Sequence, residues 1–279
     1  MELTNENYHS TEARLEYMGY SQFTDFLKCE KEALARVLGE IEDKSSPALL
    51  FGSYVDNYFS KEIPMDTFVT QHPEMFTKQG TLKADYKNID NVIFTIENDK
   101  MLLKYLNGEH QVIMTGVIAG VKFKIKIDSY HPNICIVDQK IIKDMEDAWV
   151  EFYDENGRKR KVKLNFILAW RYDLEGAIYQ EIERQWHLKL TGEDRKLPFI
   201  LAVTTKEDVP DKALIKLDQE LLDKALQEVI EKAPRFDSIK KGLIEPDGCG
   251  HCATCRKNKQ LTGVFSYSQL FEKEDEDEF

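Results

Sequence analysis

"IDSYHPNICIVDQK", residues 127–140, decides how the whole chain is read. Two short apolar runs flank Pro132 and Asn133, which is how a turn between two strands is punctuated. Side chains alternate along a strand, so Asp138 and Lys140 share a face and Gln139 points the other way. Asp128 ends the preceding strand, across the turn from Asp138. Two carboxylates and an ammonium thus meet at the ends of neighbouring strands. Adjacent carboxylates repel until a proton or a cation relieves them. A hard divalent ion such as Mg²⁺ takes oxygen ligands of this kind, and the Gln139 carbonyl can face it too. Beside a phosphodiester such an ion polarises a phosphoryl oxygen and acidifies an attacking water. Lys140 can then orient that water or offset charge developing on the phosphate. The same pattern also describes a solvated hairpin end with an ion pair.

Upstream, "QVIMTGVIAGVKFKIKIDSY" (111–130) is rich in Val and Ile with glycine punctuation and reads as a strand hairpin. Val121, Phe123, Ile125 and Ile127 lie on one face, Lys122, Lys124, Lys126 and Asp128 on the other. Residues 11–40 read as a helix with Ser21 as a plausible N-cap. Residues 46–60 read as a second helix, whose Gly52 implies close backbone packing. Residues 61–90 are loop-rich, and 89–107 are helical. Beyond the central strands come a charged loop or hairpin (155–163), a helix (166–187), the strand "PFILAVTT" (198–205) and a helix over 211–232. The order gives an α/β or α+β core, a small mixed sheet flanked by helices behind a helical N-terminal region. We expect one domain over residues 1–262. Its helical part runs over about 11–108, its core over about 109–205, and a C-terminal helix with a cysteine segment over about 206–262. An acidic tail follows at 263–279.

The 279 residues contain no apolar run long enough to span a membrane. The polar start, "MELTNENYHSTEARLEYMGY", lacks a secretory pattern, so a cytoplasmic location is expected. The formal charge is -12, unusual for a nucleic-acid binder, but residues 271–279 alone hold six acids and one lysine. A basic groove on an acidic protein is compatible with that total. Five cysteines, an odd number, argue against a disulfide framework, and Cys135 reads as core. Cys249, Cys252 and Cys255 form Cys-x-x-Cys-x-x-Cys, a spacing that lets successive thiolates converge on a metal.

The Asp…Asp-x-Lys pattern resembles the PD-(D/E)XK nuclease superfamily, with a restriction-endonuclease-like core. "MGYSQFTDFLKCEKEALARV" is similar to the N-terminal helix of RecB-like and phage recombination nucleases. "LLFGSYVDNYF" resembles their Gly-x-x-x-His motif, with Asp56 where many members have His. "RYDLEGAIYQEI" resembles their Gln-x-x-x-Tyr helix, here Glu175-x-x-x-Tyr179, with Tyr172 on the same side. Motif order resembles phage and prophage exonucleases of the exodeoxyribonuclease VIII type over about residues 15–260.

The resemblance implies a metal-dependent exonuclease that resects duplex DNA ends for a RecT-like single-strand annealing partner, in some members as a closed ring. It implies Asp56, Asp128, Asp138 and the Gln139 carbonyl as Mg²⁺ or Mn²⁺ ligands, Lys140 as the catalytic cation, and Glu175 and Tyr179 as auxiliaries. An oxygen at position 56 in place of nitrogen favours Mg²⁺ over Mn²⁺. A carboxylate at 175 in place of an amide repels phosphate unless metal or a cation offsets it. Glu109 sits where relatives carry an outlying acid, and equally reads as a surface residue. The alternative reading is a non-catalytic DNA-binding or scaffold protein that keeps the fold and the cysteine site.

Iron–sulfur members of the RecB-like class combine one N-terminal with three C-terminal cysteines, which implies Cys29 as fourth ligand of a [4Fe–4S] cluster. The family spacing between the last two cysteines is usually longer. Zinc, with His251 available inside the triplet, and free thiols stay open. The expected DNA track comprises Lys122, Lys124 and Lys126 together with Arg158, Lys159, Arg160, Lys161 and Lys163. The tail ending at Phe279 is similar to the partner-docking tip of single-strand-binding proteins, and also reads as a self-masking or solubilising end.

Overall fold

The computed structural model describes residues 1–41, 46–153, 159–260, 263, 264 and 266. The segment expected as one helix over 11–40 is three: α1 (Thr11–Glu16), α2 (Tyr20–Lys28) and α3 (Glu30–Val37). Ser10 caps α1 by accepting from the Ala13 N–H, whereas Ser21 lies inside α2, whose cap is Gly19. Both breaks have tertiary causes. Met18 N–H donates to the Lys122 carbonyl and its own carbonyl accepts from Lys124, so it serves a strand rather than a helix. Cys29 is extended (φ -166°, ψ 112°) between α2 and α3, at a junction taken up below.

Ser46 and Pro47 open α4 (Pro47–Ser60), an oxygen cap followed by proline at the first helical position. Close packing, expected at Gly52, is not found: a Cβ there would meet nothing within 4 Å. Then come α5 (Met65–Gln71), α6 (Ile89–Glu97) and α7 (Lys100–Leu106), the last capped by Asp99. The strands β1 (Glu109–Ile118), β2 (Val121–His131) and β3 (Cys135–Ile142) form a meander, with Asn133 left-handed (φ 64°) in the expected turn. A separate hairpin, β4 (Ala148–Tyr153) with β5 (Lys159–Leu164), leads to α8 (Phe166–Ala169) and α9 (Tyr172–Thr191). The chain continues as β6 (Phe199–Thr205), β7 (Lys212–Lys216), α10 (Gln219–Lys240) and α11 (Ala253–Lys257). The helix expected over 211–232 therefore begins eight residues late, because Lys212–Lys216 pairs with β6 instead.

Among the described residues a five-stranded mixed sheet runs in the order β1-β2-β3-β6-β7. Only β3 and β6 are parallel, and β6 is buried throughout, as a strand covered on both faces must be. The face carrying Phe123, Ile125, Ile127, Ile136 and Phe199 packs on α2, α3, α9 and α10. The opposite face, with Val137 and Ala202, packs on α4 to α7. Asp128 and Asp138, expected at strand ends, stand inside β2 and β3, and it is the pairing between the two strands that ends beside them. No helix among the described residues is long and apolar enough to cross a membrane.

Candidate functional site

The sheet comes apart where the acids stand. Pairing of β2 with β3 runs through Tyr130↔Ile136 to Ser129↔Val137 and ends one step short of Asp128 and Asp138. Pairing of β1 with β2 keeps one register from end to end but omits Gln111 and Asp128. Gln111 is left-handed there (φ 54°), a conformation that costs any residue with a Cβ. Side chains take over the freed backbone groups. Asp128 Oδ2 accepts from the Gln139 N–H at 2.9 Å, and His110 Nδ1 lies 3.1 Å from the Asp128 carbonyl oxygen. A cleft of about 940 Å³ opens beside this break, lined among others by Tyr8, Asp56, Gln111, Lys126, Asp128 and Glu175.

Alternation along β3 keeps Asp138 and Lys140 together as expected, with Lys140 Nζ 2.7 Å from Asp138 Oδ2. The first turns of α9 bring Glu175 Oε2 to 2.9 Å from the same ammonium, and the Tyr172 ring to 5.0 Å from it. Asp138 and Glu175 are 3% and 5% exposed, so both carboxylates depend on partners. Neither Asp138 Oδ2 nor Glu175 Oε2 receives an aligned hydrogen bond, although the ammonium is close to both. Burial pulls the Lys140 pKa down, but Asp138, Glu175 and Asp128 outweigh it and hold the lysine firmly charged. Burial and then the Asp138 charge push Glu175 up to about 7. Tyr179 is buried on the same helix face, and its hydroxyl donates to the Lys126 carbonyl at 3.1 Å. Burial raises its pKa well above the usual phenol value, so it serves as a fixed donor.

Asp56, from α4, faces the cleft from the other layer. Its two oxygens accept from Gln111 Nε2 at 3.3 and 3.1 Å. Burial, then Glu62 and Asp138, raise its pKa to about 6. Burial, then Asp138 and Asp56, raise Asp128 well above the carboxylate range. Asp56, Asp128 and Glu175 are thus each held toward the protonated form by burial and by neighbouring carboxylates. A hard divalent cation fits this donor set, because it supplies the charge that the buried oxygens lack. Gln111, His110 and Glu62 were not singled out in the sequence, and only the period-2 pattern around Asp128 pointed towards them. Glu109 is exposed at the start of β1.

The basic residues are largely engaged. Lys122 pairs with Glu16 at 2.9 Å and Lys126 with Glu62 at 2.6 Å. Lys124 is buried, donating to the Tyr8 carbonyl beneath the Tyr8 ring, so it is not part of an exposed basic row. Lys159 and Lys161 both pair with Glu151 across the β4–β5 hairpin, and Lys163 lies 3.8 Å from Asp147. The register places Trp149, Glu151 and Tyr153 on one hairpin face with Lys159, Lys161 and Lys163. Trp149 is 65% exposed, an aromatic the sequence reading passed over. Arg160 sits on the opposite face, across from Phe152. Arg158 and the acidic tail with Phe279 lie outside the described residues.

The cysteines expected to meet do so. The sulfurs of Cys29, Cys249, Cys252 and Cys255 all lie within 4.8 Å of one another, the only such His, Cys, Asp or Glu grouping among the described residues. Asp56, Asp128, Asp138 and Glu175 are more loosely spaced than that. Gly250, left-handed at φ 75°, makes the turn inside the triplet. A Cβ on Gly248 would stand 3.0 Å from Cys255 Sγ and 3.1 Å from Lys31, so only glycine fits there readily. Cys135 is core, as expected.

Residues 19–258 match the family model described as a PDDEXK-like domain of unknown function (DUF3799). The fold is also similar to the crystal structure of a Eubacterium rectale protein described as a "putative exonuclease". The two chains are 40% identical, with a TM-score of 0.85, over 98% of this chain and 99% of that one. No curated protein matches.

Proposed function

The chain belongs to the PDDEXK-like family of DUF3799, and on that premise we propose that it is a Mg²⁺-dependent DNA exonuclease acting on duplex ends. The observation that carries this reading is the Asp128, Asp138 and Lys140 cluster, set where the β2–β3 ladder ends beside an open cleft. Asp56, Asp128, Asp138 and the Gln139 carbonyl would hold the metal. When bound, the ion would polarise the phosphodiester and acidify the attacking water.

The remaining chemistry falls to this chain's own side chains. Lys140 keeps its proton and would offset charge that develops on the phosphate during bond breaking. Glu175 steadies the lysine from the far side, and at neutral pH a proton shared on it limits repulsion of phosphate. This accounts for a carboxylate at a position where relatives have an amide. Tyr179 braces the backbone of β2 two residues before Asp128, keeping that acid in place. Gln111 orients Asp56 from β1.

The exposed hairpin face, with Trp149, Lys159, Lys161 and Lys163, would meet the DNA backbone and stack on unpaired bases. Lys122 and Lys126 would extend this track, the latter at the cleft, whereas Arg160 faces away from it. The single strand left by resection would pass to an annealing protein of a phage-type recombination system in the cytoplasm. The test is digestion of linear duplex with Mg²⁺ or with chelator. Loss of cleavage in Asp138→Asn, with DNA binding kept, is the expected result. A wild-type protein that binds duplex but never cuts it would favour a scaffold instead.

A further inference from the structure

We propose that Cys29, Cys249, Cys252 and Cys255 bind a single tetrahedral zinc ion, and not the four-iron cluster that the resemblance to iron–sulfur nucleases implies. The argument is geometric. Cys29 Sγ lies 3.6 Å from Cys255 Sγ and 3.7 Å from Cys252 Sγ, and Cys249 Sγ lies 4.0 Å from Cys255 Sγ. No pair among the four exceeds 4.8 Å. Four thiolates on one ion, each about 2.3 Å from it, form a tetrahedron with edges of roughly 3.8 Å. A [4Fe–4S] cube binds each thiolate to a different iron, which sets the sulfurs roughly 6 Å apart. The cysteines enclose a space for one ion and are too close for a cube.

The surroundings fit a closed structural site. The N–H groups of His251 and Cys252 point at Cys249 Sγ at 3.4 and 3.3 Å, and the Cys255 N–H points at Cys252 Sγ at 3.3 Å. Such donors offset the excess charge of four thiolates on a divalent ion. Cys29 is presented from the α2–α3 junction, and its neighbour Glu30 accepts from Arg235 at 2.7 and 2.9 Å and from the Asp247 N–H at 2.6 Å. The strand of chain leading into Cys249 is therefore anchored beside Cys29 independently of the ion. His251 is engaged elsewhere: its ring stacks on Tyr153 with centroids 3.4 Å apart and planes 7° from parallel. That leaves Cys29 as the fourth ligand. The stack also ties the β4–β5 hairpin to the cysteine turn, so the ion steadies the hairpin as well as joining the two ends of the fold.

All-thiolate tetrahedral sites take zinc or iron, and a closed site without an open position is the structural zinc arrangement. The full-length protein, purified without oxygen from cells supplied with both metals, is assayed for zinc, iron and acid-labile sulfide, and by zinc-edge X-ray absorption. The expected result is one zinc per chain with four sulfur neighbours, no sulfide, and no absorbance band near about 400 nm. His251→Ala should keep its zinc, while Cys29→Ser should release zinc to a chromogenic chelator at least about tenfold faster. Iron with sulfide, iron alone, a nitrogen in the zinc shell, unchanged release from Cys29→Ser, or thiols without metal would each overturn the proposal. Zinc content is read apart from DNA cleavage, so an inactive but zinc-loaded protein would support this inference while removing the catalytic one.

Discussion

Lys140 Nζ sits 2.7 Å from Asp138 Oδ2, two positions along one strand, and Glu175 Oε2 holds it from the other side at 2.9 Å. The lysine is thus both a neutralising partner and a competitor for any cation that Asp138 binds. Replacing it separates these roles. Lys140→Ala should lower cleavage by roughly 10²–10³-fold, since the ammonium acts on charge that appears only in the transition state. Mg²⁺ should bind the variant at least as tightly as the wild type, measured by calorimetry. Wild-type turnover in Lys140→Ala would remove its catalytic role.

The raised acids make metal binding depend on pH. Asp56 titrates at about 6 and Glu175 at about 7 in the fold, both above their ordinary values. The folded state therefore holds extra protons between the unfolded values and these, and stability without metal falls as pH rises through that window. Above it the full repulsion is present and a divalent ion relieves it. Stabilisation by Mg²⁺, read as a shift in Tm, should be largest above about pH 7 and shrink below about pH 6. A shift that is constant from pH 5 to 8 would contradict this.

Gln111 spends backbone strain on its contact with Asp56. Gln111→Gly should relieve a φ of 54° and stabilise the fold by up to about 1 kcal/mol in urea denaturation, yet lower activity because Asp56 loses its donor. A variant that is both more stable and fully active would show that the strained residue has no part in the site.

Two of the hairpin lysines, Lys159 and Lys161, are held by one acid, Glu151. Glu151→Gln should free both for phosphate, tighten duplex binding at low salt and steepen its salt dependence. Lys159→Gln with Lys161→Gln should do the reverse. Unchanged affinity in both variants would place the DNA elsewhere.

The acids of β2 and β3 were legible because two local signals coincide: period-2 alternation fixes the face shared by Asp138 and Lys140, and Pro132 with Asn133 fixes the turn that returns β3 beside β2. Convergence of Cys29 with the triplet followed from resemblance, since no local pattern joins residues more than 200 positions apart. Long-range pairing was what stayed hidden. Met18 breaks the first helix by bridging to β2, and Lys212–Lys216 becomes a strand because β6 offers it an edge. Lys124 looks solvated by alternation, but the N-terminal segment carrying Tyr8 folds over it. The missing rung of the ladder at Gln111 and Asp128 is likewise set by both strands and the helices around them together, which alternation along either strand alone does not encode.

The central claim is best tested on end-labelled linear duplex beside a covalently closed circle of the same sequence, with Mg²⁺ and with chelator. The account expects the linear duplex to be shortened from its ends only when Mg²⁺ is present, the circle to survive, and Asp138→Asn to be inactive on both. Wild-type protein that leaves linear duplex intact in saturating Mg²⁺, or an Asp138→Asn variant that still degrades it, would contradict the account.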